Sequence, residues 1–144
     1  MRDKIKLAEE KFAKKAWRFT SGARNVGRII FATKSPLSAS EITEILAKKG
    51  LKSDLTTVYR LIDRYVALDL AHILNGQVMP CVYPENKNEE HHFLVCESCG
   101  EAEEITLNYK DSISRQLDAE KKFKLRKVDL VFYGLCESCR KKFD

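Results

Sequence analysis

The stretch SDLTTVYRLIDRYVALDLAHILNGQVMPCVY, Ser53 to Tyr83, reads as one helix followed by two short β segments. Ser53 or Asp54 can accept from the unpaired N–H groups of a first helical turn, and Val58, Leu61, Ile62, Tyr65 and Val66 recur at helical spacing. Ala71–Leu74 and Val78–Tyr83 are then separated by Asn75-Gly76, a dipeptide whose tolerance of positive φ favours a tight hairpin.

Upstream, residues 3–19 pattern as a basic helix with Ile5, Leu7, Ala8, Phe12, Ala16 and Phe19 on one face, broken at Ser21-Gly22. A second helix is expected from Ala23 to Lys34, with Gly27 inside it costing up to ~1 kcal/mol relative to alanine. A third, capped by Ser38 or Ser40, carries Ile42, Ile45 and Leu46 and stops at Gly50. The last three of these four helices, followed by the two-stranded wing, have the order of a winged helix-turn-helix, in a domain predicted to occupy residues 1–83.

Residues 84–90, Pro-Glu-Asn-Lys-Asn-Glu-Glu, are polar and aperiodic and read as a hinge. In residues 91–144, His91–Cys96 and Glu103–Leu107 read as strands around a Cys-x-x-Cys-Gly knuckle, Lys110–Lys122 as a helix and Leu125–Leu135 as a long strand with Val128, Leu130 and Phe132 alternating. The fold class is α+β: a winged helix followed by a small α/β domain. Such a domain is too short to be comfortable on core burial alone, and a structural metal would remedy that.

Composition narrows the partners. Residues 1–84 carry 15 Lys/Arg against 8 Asp/Glu, and residues 85–144 carry 11 against 13, so a basic half joins a slightly acidic one. That asymmetry suits a polyanion at the first half. No apolar run approaches the ~20 residues of a membrane span, and Met-Arg-Asp-Lys-Ile-Lys lacks the features of a signal peptide, so the expected address is cytoplasmic, without membrane partner. Five cysteines in such a chain point to metal or redox chemistry rather than a disulfide framework.

Cys96-Glu-Ser-Cys99-Gly and Cys136-Glu-Ser-Cys139 are the most specific signal. Two such knuckles can present four thiolates tetrahedrally to one Zn2+, a closed shell with no position for a substrate, which makes the site structural. The 36 residues between the pairs enclose a strand and a helix, coupling zinc to folding. A thiol oxidoreductase would place one Cys-x-x-Cys among βαβ signals, which are absent. The chain is therefore not expected to be an enzyme or to take a small organic substrate. On the helix before the wing, Thr56 and Thr57 suit phosphates, Tyr59 suits thymine methyls, and Arg60 suits guanine or phosphate, with Arg64 extending the phosphate contacts.

Thr56-Thr57-Val58-Tyr59-Arg60, the hinge, His91-His92-Phe-Leu-Val-Cys96-Glu-Ser-Cys99-Gly and Gly134-Leu-Cys136-Glu-Ser-Cys139, in that order, strongly resemble the ferric uptake regulator (Fur) superfamily of bacterial metal-sensing repressors, from about Thr20 to Cys139. The resemblance implies an N-terminal winged helix, a C-terminal dimerisation domain, homodimeric binding to a palindromic double-stranded operator, and a place near DNA for Arg24.

The chain departs from the iron- and peroxide-sensing members. Ser35-Pro36 stands where they place a histidine, only His91-His92 precedes the first knuckle, and Val128 falls at a further histidine position. His72, Cys81, His91 or His92, and Glu104 instead resemble the sensor ligands of the zinc uptake regulator (Zur) branch. That implies a second, regulatory Zn2+ beside the structural one, with Glu104 competing against Glu101 and Glu103. A Cys/His/His/Glu set suits Zn(II). The expected function is a zinc-sensing repressor. An iron-, manganese- or peroxide-responsive regulator is the near alternative, and a zinc-ribbon protein-interaction adaptor the alternative of another class.

Overall fold

The computed structural model describes residues 2–82, 91–126, 128 and 130–143, which fall into two compact units, Met1–Pro84 and Glu85–Asp144. The segment expected to be a hinge, 84–90, lies outside the described residues, as does Tyr83.

The first unit holds α1 (Arg2–Lys14), α2 (Ser21–Ala32), α3 (Ala39–Lys48), α4 (Leu55–Ala67), β1 (Ala71–Leu74) and β2 (Gln77–Pro80). Side-chain caps start three of the helices. Thr20 Oγ1 accepts from Ala23 N–H at 3.0 Å, Ser38 and Glu41 form a reciprocal capping box, and Asp54 Oδ1 accepts from Thr57 N–H at 2.7 Å. α1 stops at Lys14 rather than continuing to residue 19, because Ala16 turns at φ 56° and Trp17 N–H closes back on Phe12 C=O at 2.9 Å. Ser21-Gly22 accordingly does not break α1 but opens α2.

Phe12, Val26, Ile30, Ile42, Val58 and Tyr65 form the fully buried centre, with the edges of the Trp17 and Phe19 rings against Phe12. Tyr65 O–H donates to Ala23 C=O at 2.7 Å, and burial raises the pKa of that hydroxyl. Gly27 sits beneath it: a Cβ there would overlap the Tyr65 hydroxyl, so glycine permits the close α2–α4 approach that its low helix propensity alone would not explain. β1 and β2 pair antiparallel through Asn75-Gly76, with φ 52° and 79°. Leu37 adds an isolated antiparallel bridge to Val78, with Leu37 N–H donating to Val78 C=O at 3.0 Å and Val78 N–H to Leu37 C=O at 2.7 Å.

The second unit holds β3 (His91–Cys96), β4 (Ala102–Thr106), α5 (Lys110–Lys121), β5 (Val131–Gly134) and α6 (Glu137–Phe143). Its sheet order is β4-β3-β5, antiparallel for the first pair and parallel for the second. The long strand expected over 125–135 is a correction. Among the described residues β5 covers only Val131–Gly134: the parallel ladder starts where Phe93 meets Val131, and just before it the Leu130 N–H is taken by the His92 ring rather than by strand backbone. Val128 is half-buried and lies outside any strand; residues 127 and 129 are outside the described residues. α6 was not legible from periodicity, since Glu-Ser-Cys-Arg-Lys-Lys-Phe presents no apolar stripe.

Candidate metal centres and nucleic-acid face

Parallel pairing of Cys96 with Gly134 draws the end of β3 alongside the end of β5 and so brings the two knuckles together. The ligand atoms of Cys96, Cys99, Cys136 and Cys139 all lie within 4.8 Å of one another, and Cys99 Sγ is 3.9 Å from Cys136 Sγ. A tetrahedron of ~2.3 Å Zn–S bonds has S–S edges of about 3.8 Å, so the donor set fits zinc in number, kind and spacing. Backbone amides complete the cradle: Cys136 N–H points at Cys96 Sγ at 3.4 Å, and Gly100, at φ 79°, returns its N–H to Cys96 C=O at 2.9 Å.

The cluster holds its protons unevenly. The backbone N–H groups of Cys136 and Cys99 hold the Cys96 thiol down at about 6. The Glu101 N–H favours the Cys99 thiolate, but the neighbouring sulfurs of Cys96, Cys136 and Cys139 outweigh it and push that thiol to about 12. Cys139 is also raised: its hydrogen bond with Ser98 favours the thiolate, and the Cys136 sulfur with burial overrides it. Crowded thiols resist a second and third negative charge, which a bound dication would neutralise.

Among the described residues two further pairs of metal-type side chains stand close together, one in each unit. In the wing, β1–β2 register sets His72 opposite Met79, and Cys81 N–H donates to Leu70 C=O at 2.9 Å. His72 and Cys81 are therefore diagonal neighbours on one face, with ligand atoms within 4.8 Å. His72 is half-buried and Cys81 buried. In the second unit, Phe93 stands opposite Glu104 and His91 opposite Thr106, so His91 and Glu104 are again diagonal on one face. His91 Nδ1 lies 2.5 Å from Glu104 Oε1, and the Glu104 side chain is wholly buried.

His92 points elsewhere. It is buried, its Nδ1 accepts from Leu130 N–H at 3.2 Å, and its Nε2 meets the Tyr109 hydroxyl at 2.9 Å. Since Nδ1 is the acceptor, the neutral ring carries its proton on Nε2 and donates it to Tyr109. Tyr109 was not singled out by sequence reading, because a tyrosine before a helix carries no pattern of its own. Glu101 and Glu103 are exposed.

On the first unit, Thr56, Tyr59 and Arg60 are exposed on the first half of α4, and Thr57 is half-buried with its N–H engaged by Asp54. The Arg64 guanidinium lies 5.3 Å from the Trp17 ring centroid. The Arg24 guanidinium lies 5.3 Å from that of Phe19 and 3.9 Å from the Glu9 carboxylate. Among the described residues no helix is long and apolar enough to cross a membrane.

A winged helix followed by an α/β unit with a four-cysteine cluster defines a class: a metal-binding regulator of transcription. The model of the ferric uptake regulator family matches residues 14–133. The chain belongs to that family, whose members are metal-responsive transcription regulators and not enzymes. It is 24% identical to the ferric uptake regulation protein of Bacillus subtilis (strain 168), covering 99% of this chain and 98% of the relative. It is 29% identical to that of Haemophilus influenzae over 69% and 68% of the two chains. Among solved structures it is similar to a zinc uptake regulator complexed with zinc and DNA, with TM-score 0.84, 22% identity and coverage of 99% and 96%. It is also similar to holo XcZur, with TM-score 0.72, 26% identity and coverage of 95% and 96%.

Proposed function

We propose that this protein is a zinc-responsive transcriptional repressor that binds palindromic operator DNA as a homodimer. The observation that carries the reading is the pair of half-sites: His72 with Cys81 on the wing, and His91 with Glu104 on the α/β unit. Each is a diagonal cross-strand pair, and together they supply one thiolate, two imidazoles and one carboxylate, a complete tetrahedral set suited to Zn(II). We assign His91 as the ligand over His92, both of whose ring nitrogens are already engaged. Zinc held by both pairs fixes the segment between them. Because zinc and DNA favour the same arrangement, each tightens the other's binding by one common factor. Cys96, Cys99, Cys136 and Cys139 hold the second, structural zinc, which supplies folding energy to its unit.

The homodimer is supported by how little the second unit buries. Among its described residues only His92, Phe93, Cys96, Glu104 and Cys139 are buried, while Leu94, Leu107, Phe123, Phe132, Tyr133 and Leu135 stay exposed. A unit with that exposure suits coverage by its own copy. On the first unit, Thr56, Thr57, Tyr59, Arg60, Arg64 and Arg24 form the surface offered to DNA. The zinc uptake regulator solved with zinc and DNA shares this fold. An iron-responsive regulator is the second reading, favoured by the ferric uptake names of the curated relatives.

Zinc content and duplex binding test the proposal together. The wild-type chain is expected to hold about two zincs, and Cys81→Ser and Glu104→Gln about one each, with zinc-dependent operator affinity lost in both. Operator affinity unchanged by Cys81→Ser across a zinc titration would reject the sensor assignment. Tighter operator binding with ferrous iron than with zinc would favour the second reading.

A further inference from the structure

We infer that the α1–α2 connection, residues 15–20, is a platform that orients arginines toward the DNA backbone, with Trp17 as the positioning residue for Arg64 and Phe19 for Arg24. The inference rests on the proposal above that α4 faces DNA.

The connection is built rigidly. Lys15 N–H and Trp17 N–H both donate to Phe12 C=O, at 3.1 and 2.9 Å, and Ala16 N–H donates to Ala13 C=O at 2.9 Å. Ala16 sits at φ 56°, a conformation disfavoured for alanine that lets the chain reverse at once. Trp17 and Phe19 then come back edge-on against the same ring, with centroids 6.0 and 5.1 Å from that of Phe12 at interplanar angles of 78° and 72°. Phe12 is fully buried and packs on Tyr65 of α4 at 5.4 Å. Two half-buried rings of one short loop are thus packed against the core, and each carries an arginine at 5.3 Å. Lys11 Nζ also donates to Leu68 C=O at 3.1 Å, tying the C-terminal end of α4 to α1.

Stacking engages the flat face of a guanidinium, whereas phosphate recognition uses its in-plane N–H fork. The two interactions are compatible, so an arginine laid on an aromatic ring reaches a phosphate with part of its side-chain freedom already given up. Surface packing alone would need only an apolar residue at 17. Positioning needs a π face.

The test uses full-length, zinc-loaded protein, with a duplex that the wild type itself enriches from a random pool as probe. Trp17→Leu is expected to bind that duplex about three- to fivefold more weakly, and Trp17→Phe within about twofold of wild type. Arg64→Lys keeps the charge but loses the planar guanidinium, and is expected to lose affinity to a similar degree as Trp17→Leu. Arg64→Ala should cost less in the Trp17→Leu background than in wild type. Additive losses in that cycle, or wild-type affinity in Arg64→Lys, overturn the platform while leaving the regulator reading standing. A zinc-loaded wild type that enriches no duplex overturns both. Arg64→Lys leaves the core untouched, so the test survives even if Trp17→Leu fails to fold.

Discussion

Gly27 and the Tyr65 hydroxyl compete for the same space: a single methyl group added at residue 27 would overlap that oxygen, which is itself fixed by its bond to Ala23 C=O. Neither helix can yield readily, because Val26 and Ile30 on α2 and Val58 and Ile62 on α4 are all buried in the same core.

Gly27→Ala is therefore expected to destabilise the winged-helix unit. Overpacking costs about 1–3 kcal/mol, and the gain in helix propensity of up to about 1 kcal/mol offsets only part of it. Chemical denaturation followed by circular dichroism measures the difference. Adding Tyr65→Phe should make the double variant less destabilised than the sum of the singles, since the oxygen in conflict is gone. A Gly27→Ala protein more stable than wild type would contradict the close approach.

Adjacent histidines should behave oppositely. His91→Ala removes a metal-type ligand beside Glu104 and is expected to lower zinc content to about one per chain; it also takes the imidazole away from the buried Glu104 carboxylate, so some stability is lost with it. Tyr109→Phe takes away the partner of the buried His92 Nε2, and His92→Ala takes away the acceptor of the Leu130 N–H; each is expected to cost about 1–3 kcal/mol, and zinc content should stay near wild type. Elemental analysis and denaturation on the same samples separate the two roles. Loss of zinc with His92→Ala and not with His91→Ala would reverse the assignment.

That pair marks where sequence reading stopped and why. Alternation along a strand establishes that His91 and His92 face opposite ways, but not which way is inward. The choice is made by register. The first knuckle closes its hairpin with Cys96 N–H on Glu101 C=O, and counting back from there puts Phe93 opposite Glu104 and His91 on the same face. The same count separates Glu104 from Glu101 and Glu103. The wing, the Asn75-Gly76 turn and the caps at Ser38 and Asp54 were legible because their signals are local. The end of α1 was not, since Ala16 resembles any helical alanine until Trp17 and Phe19 are seen returning to Phe12. The extent of β5 depends on a partner strand far away in sequence, so its neighbours' alternation misleads.

Zinc loading of the four-cysteine cluster should release at least two protons per ion near neutral pH. Cys99, at about 12, and Cys139, also raised, are thiols there in the metal-free protein, whereas Cys96, at about 6, is already largely thiolate. Zinc affinity must accordingly rise with pH across the neutral range, because each thiol deprotonated beforehand spares the metal that work. Calorimetric titration of the metal-free protein in buffers of differing ionisation enthalpy counts the protons directly. Release of fewer than two would mean that the thiols ionise more readily than their mutual crowding indicates.

Tyr59 and Arg60 are neighbours on the exposed side of α4, yet they should fail differently when removed. Tyr59 is 54% exposed on the first half of that helix, which leaves its ring open to a base-edge partner. Tyr59→Ala is expected to weaken operator binding while leaving binding to an unrelated duplex unchanged, because base contacts carry sequence preference and phosphate contacts do not. Arg60→Ala has two possible signatures, and the salt dependence tells them apart. If Arg60 meets a phosphate, affinity falls for operator and unrelated DNA alike, and the slope of log affinity against log salt drops by about 1. If it pairs with guanine, the operator alone loses about 1–3 kcal/mol and its preference relaxes at one base pair. Binding isotherms at several salt concentrations on both duplexes decide it. Equal losses on both duplexes for Tyr59→Ala would place that ring on the backbone and remove it from the residues that read sequence.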